Sequence, residues 1–131
     1  MNLKTLSAHK TAKDKRSLND FYSDLMKLPS NNSLSKVGRQ MVELLPCLEN
    51  ISWEKDVYAF TSHDVLILNS ADDYQVSYIW IKALSHGGYD VKYLLPNEQA
   101  PWPFARVQGE ATNKEEACKM VEIALQRSGG W

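Results

Sequence analysis

Cysteine and long apolar runs are scarce in this chain, and each shortage excludes a class of protein. The 131 residues include only Cys47 and Cys118, which lie in different predicted helices. Two cysteines cannot form the disulfide framework of a small secreted domain, although a single disulfide stays open. No run approaches the roughly 18 apolar residues of a membrane-spanning helix, and no apolar segment follows the basic start as a secretory signal requires. We therefore expect a cytoplasmic protein without a membrane partner.

Catalytic and ligand-binding motifs are also missing. The chain contains no GxGxxG, Walker A, GxSxG or HExxH sequence, so neither phosphate binding nor a nucleophile elbow has local support. The three histidines, His9, His63 and His86, are not spaced as paired metal ligands. We predict no catalytic residue, no metal site and no cofactor. His63 and Asp64 fit either a base with its orienting carboxylate or the polar tip of a hairpin.

Charge is nearly balanced overall but unevenly distributed. The chain has 15 Lys plus Arg against 16 Asp plus Glu, and its pI near 6.3 argues against a dedicated nucleic-acid binder. Residues 1–16 carry a net charge of +4, which leaves an acidic remainder. We predict a flexible basic arm over 1–16, followed by a single domain over 17–131. The arm either stays solvated or folds onto an anionic partner.

Three helices are predicted from apolar spacing and capping residues. Ser17 with Asp20 has capping-box spacing at the start of the first helix, and Pro29 ends it. The second helix begins at Ser33 or Ser35, and Pro46 ends or kinks it. Asn113 caps the third, which stops at Gly129-Gly130.

Between the second and third helices the apolar period changes to two, which indicates strands. They are predicted at 57–60, 65–68, 74–83, 89–95 and 104–109. The links between them are short, and short links require antiparallel neighbours. The predicted fold is α+β, with two N-terminal helices, a four- to five-stranded mainly antiparallel sheet, and a C-terminal helix packed on that sheet.

Aromatic residues are the most informative feature of the predicted strands. They are Tyr74, Tyr78, Trp80, Tyr89 and Tyr93. Such residues can stack nucleobases, as in an RNA-recognition sheet. Alternatively, Val76, Trp80 and Val91 pack under the helices while the tyrosines stay half-buried. The lack of a basic RNP-like motif favours packing.

Two tryptophans have flanks that do not suit a core. Trp102 lies between Pro101 and Pro103, and Trp131 follows two glycines. Each either docks back onto the domain or serves as an exposed interface anchor. Because loops and turns reach partners, we predict a partner-binding set. It consists of Asp72, Asp73, Tyr89, Asp90 and Trp102. An edge strand near Phe104 also leaves a homodimer open.

In size, α+β layout and absence of catalytic motifs, the chain resembles the small cytosolic immunity proteins of bacterial toxin systems. The resemblance implies a non-enzymatic protein-binding module that neutralises a cognate toxin domain by occluding its active site. An acidic face that meets a basic nuclease would gain association rate from complementary charge.

Two alternatives stay open at this point. One is a small hydrolase or ligand-binding domain with a pocket near the His86 turn and the loop 100–103, with His63 or His86 as the base and Asp64 or Asp90 as the orienting acid. The other is an RNA-associated domain that combines the basic arm with the tyrosine face.

Overall fold

The computed structural model describes residues 1–5, 17–73 and 78–131. These residues form six strands and three helices in one α+β arrangement. In chain order the elements are β1 (Leu3–Thr5), α1 (Leu18–Met26), α2 (Ser33–Glu49), β2 (Val57–Ser62), β3 (Val65–Asn69), β4 (Ile79–Ala83), β5 (Tyr89–Leu94), β6 (Arg106–Ala111) and α3 (Lys114–Arg127). The α+β class, the two N-terminal helices and the C-terminal helix on the sheet are confirmed.

The sheet has one strand more than the four to five predicted. Its spatial order follows the chain from β1 to β6, and every neighbouring pair is antiparallel except β1 with β2. The additional strand is β1, which pairs Leu3 with Val57 in parallel. Because β1 and β2 are far apart in sequence, no local pattern signals this pairing. Residues 3–5 belong to the segment predicted as an arm, and residues 6–16 lie outside the described residues.

The apolar core lies between the helices and one face of the sheet, which we call the inner face. From β4, Ile79, Ile81 and Ala83 point into this core. Trp80 points to the opposite, outer face, where it packs beside Ile67 and Phe60. The interpretation that placed Trp80 under the helices is therefore wrong, because side chains alternate along a strand and the isoleucines occupy the inner positions.

The helix ends follow the predicted capping chemistry, with one correction. The Ser17–Asp20 capping box forms in both directions, and the Asn113 side chain accepts from the Glu116 amide at 2.9 Å. Helix α2, in contrast, continues through Pro46 to Glu49. Pro46 has no amide hydrogen to donate, so one hydrogen bond of the helix is missing there. Because Pro46 lies in the final turn, few helical residues follow the missing bond.

The cysteines lie on facing helices. Cys47 on α2 and Cys118 on α3 are free and half-buried. Burial, and then the neighbouring Cys47, raise the pKa of Cys118 to about 12.

No helix in the described residues is both long and apolar enough to cross a bilayer.

Candidate interaction surface

The connection between β5 and β6, residues 95–105, is closed by its own hydrogen bonds. The Leu95 amide donates to the Ala105 carbonyl at 2.9 Å, and the Pro96 carbonyl accepts from the Gln99 and Ala100 amides, each at 3.0 Å. Prolines at 96, 101 and 103 restrict the backbone further. The loop is thus built to hold one conformation, which lowers the entropy lost on binding.

This loop presents two large aromatic side chains to solvent. Trp102 is 68% exposed and Phe104 is 78% exposed. Phe104 also has a φ of 64°, a left-handed conformation that costs a non-glycine residue about 1–3 kcal/mol. Two exposed rings of this size, separated by one residue in the chain, resemble an interface anchor more than ordinary scattered surface apolarity.

A shallow groove of about 420 Å³ runs beside the loop. Phe104, Pro96 and Tyr78 line it, together with the two glycines that follow α3. Gly130 has a φ of 111°, and a Cβ there would overlap the Tyr78 ring. Only glycine fits this close approach, so the C-terminal segment is fixed against the groove.

Trp131 docks back onto the domain. Its Nε1 donates to the Ser128 hydroxyl at 2.6 Å, and its ring meets Trp53 edge-on at 6.2 Å. Tyr78 packs against the same ring at 5.8 Å. Of the two tryptophans that the sequence singles out, Trp131 supports the groove, and Trp102 is the one that faces solvent.

The predicted partner-binding residues divide between the two ends of the sheet. Asp72 and Asp73 are exposed in the link after β3, at the same end as Trp102. Tyr89 and Asp90 begin β5, at the opposite end. Tyr89 is only 3% exposed and donates its hydroxyl to the Gln40 carbonyl at 2.8 Å. Its ring belongs to the core and does not reach the surface.

Asp90 lies on the outer face and is 8% exposed. Its carboxylate accepts from Gln108 Nε2 at 2.8 Å and lies 3.7 Å from Lys92 Nζ. The carboxylate is therefore already engaged by two neighbours within the sheet. The candidate interaction surface therefore contains the loop aromatics with Asp72 and Asp73, whereas Tyr89 and Asp90 do not belong to it.

Phe104 is the interface candidate that sequence reasoning missed. The sequence pattern predicts Phe104 as the first residue of the edge strand, whereas β6 begins two residues later at Arg106. The proline-rich stretch before it is the only sequence signal that the loop extends this far.

His63 and His86 lie at the other end of the sheet from Trp102. His63 and His86 are exposed in the turns that follow β2 and β4, and His63 has a φ of 56°. Asp64 and His86 line a shallow pocket of about 260 Å³ with Ser33 and Ser85. Among the described residues, the structure records no hydrogen bond between either imidazole and Asp64. The His86 turn and the loop 100–103 are separated by the length of β5, so they do not form one pocket.

Within residues 1–5, 17–73 and 78–131, no cluster of three or more His, Cys, Asp or Glu side chains is arranged to hold a metal ion.

Comparisons with protein-family models, curated proteins and solved structures return no match.

Proposed function

We propose that this chain is a non-enzymatic protein-binding module that engages its partner through the aromatic loop, defined as residues 95–105. The observation that carries the proposal is the simultaneous exposure of Trp102 and Phe104 on a loop closed by its own hydrogen bonds. Exposed aromatic rings on a preorganised loop supply large contact area at low entropic cost.

Exposed carboxylates at this end of the molecule suit a basic partner. Asp72 and Asp73 are exposed here, as is Glu98 within the aromatic loop. Carboxylates around an apolar anchor steer a cationic protein into contact and then occupy the polar rim of the interface. This pattern fits a toxin domain with a basic, substrate-binding cleft, which the loop would occlude.

The proposal predicts that Trp102 dominates the binding energy. The tagged full chain and its Trp102→Ala variant serve as paired baits in an extract of the native host, and mass spectrometry identifies proteins retained only by the former. Each such protein is purified and titrated calorimetrically. We expect the substitution to weaken binding by at least about 2 kcal/mol, because it removes a fully desolvated anchor.

Matched controls separate this function from the alternatives. The His63→Ala/His86→Ala double variant alters the opposite end of the sheet and should retain the partner with unchanged affinity. Co-production of the chain should restore growth to cells that make the captured partner, and Trp102→Ala should abolish that protection. Equal retention by both baits, or loss of binding only in the histidine variant, would contradict the proposal.

A further inference from the structure

Strand β6 forms one edge of the sheet. In the part of the chain that the structure describes, no strand lies beyond it. Its residues Arg106, Val107, Gln108 and Glu110 are exposed. The strand contains neither the proline nor the lysine that commonly block edge pairing. Such an edge is a template for a further strand.

The hydrogen-bond pattern shows which backbone groups of β6 face outward. The Leu95 amide donates to the Ala105 carbonyl, and the register continues with Tyr93 opposite Val107 and Val91 opposite Gly109. Hydrogen-bonded pairs alternate along an antiparallel ladder. The amides and carbonyls of Arg106, Gln108 and Glu110 therefore point away from β5, toward the open edge.

The charges of β6 are self-complementary about Gln108. If a second β6 pairs antiparallel with Gln108 opposite its own counterpart, Arg106 of each copy lies opposite Glu110 of the other. These residues alternate by two, so their side chains share the outer face. The backbone groups of these residues also face the open edge. This register therefore pairs the opposite charges and aligns the outward-facing amides and carbonyls for hydrogen bonding.

The neighbouring registers lose the charge pairing. A shift of two residues places Arg106 opposite either Gln108 or Thr112, and in both cases the carboxylate of Glu110 has no cation opposite it. Within its own chain the Arg106 guanidinium lies 4.3 Å from the centre of the Trp80 ring. That contact keeps the arginine on the outer face, where Glu110 of a second copy would lie.

We infer that the chain forms a two-fold homodimer in which two β6 strands pair antiparallel about Gln108, joining the two sheets into one. The occupant of the edge is a second copy of this chain, selected by the Arg106–Glu110 complementarity. This inference does not depend on the proposed function, which uses the aromatic loop.

Sedimentation of the full chain over roughly 1 μM to 1 mM tests the dimer. We expect dimer to accumulate with concentration. Glu110→Arg places like charges opposite each other twice, so it should raise the dissociation constant roughly tenfold. The exchanged variant, Arg106→Glu with Glu110→Arg, should restore dimerisation. Glu122→Arg makes the same charge change on an exposed position of α3 and should have no effect.

Hydrogen exchange gives an independent readout. The amides of Arg106, Gln108 and Glu110 should exchange more slowly as the dimer forms, whereas those of Val107 and Gly109 are already protected by β5. A chain that stays monomeric over the whole range would overturn the inference. So would an exchanged variant that dimerises no better than Glu110→Arg, since the register would then not depend on these charges.

Discussion

At the scale of single residues, the groove beside the aromatic loop depends on a glycine. Gly130 combines a φ of 111° with a Tyr78 ring that occupies the place of a side chain. Gly87 in the β4–β5 turn has a similar φ of 114°, yet a Cβ there would meet nothing within 4 Å. The two positions therefore separate backbone strain from steric overlap.

We predict that Gly130→Ala lowers the free energy of unfolding by about 3 kcal/mol, because strain and overlap add. Gly87→Ala should cost about 1 kcal/mol, from strain alone. Urea unfolding measures both, and tryptophan fluorescence should report displacement of Trp131 in the first variant only. Equal losses in the two variants would show that the Tyr78 contact carries no energy.

At the scale of elements, α3 is the helix whose start is best defined. The Asn113 side chain accepts from the Glu116 amide, and the Glu116 carboxylate accepts from the Thr112 amide and hydroxyl, each at 2.9 Å. The Asn113 bond satisfies an amide that the first helical turn leaves without a partner. The two Thr112 bonds lower the pKa of Glu116, since they stabilise its charged form.

Removal of this cap should destabilise the whole domain, because α3 packs over β4, β5 and β6. We predict that Asn113→Ala lowers the free energy of unfolding by about 1 kcal/mol. Asn113→Asp keeps an acceptor oxygen and favours the helix dipole, so its stability should match or exceed that of the native chain. If chemical denaturation shows the two variants to be equally destabilised, the side-chain acceptor is not what stabilises the helix start.

At the scale of the whole molecule, burial sets the response of stability to alkaline pH. Burial, followed by the charge of Glu43, raises the pKa of Tyr89 from 10.0 to about 12. Burial and then Cys47 raise that of Cys118 from 9.0 to about 12. Burial also raises the pKa of Tyr22. Above pH 9 the unfolded chain releases these protons while the folded chain keeps them.

Stability should therefore be intact below pH 9 and fall progressively as pH rises toward 12, because the unfolded state binds fewer protons in that window. Thermal unfolding at pH 8 and at pH 11 measures the loss. Tyr89→Phe removes one of the titrating groups, so the fall in Tm over this interval should be smaller than in the native chain. An identical fall would mean that Tyr89 ionises normally in the folded state.

The sequence by itself determined the features that depend on neighbours along the chain. Ser17 and Asn113 cap helices because the side chain of each accepts from the amide three residues further along the chain. The 57–60 and 65–68 segments form a hairpin because two short apolar runs flank a short polar turn. Local spacing encodes these elements, and the α+β class follows from their order.

Contacts between distant segments decided the rest. The parallel pairing of Leu3 with Val57, and the choice of Ile79 and Ile81 over Trp80 for the core, depend on which faces meet after folding. The same is true of the candidate surface. From the sequence, both Trp102 and Trp131 could either dock back or face solvent, and the packing of Trp131 against Trp53 and Tyr78 decides this for Trp131. Burial is a property of the assembled layers, so no local pattern can assign it.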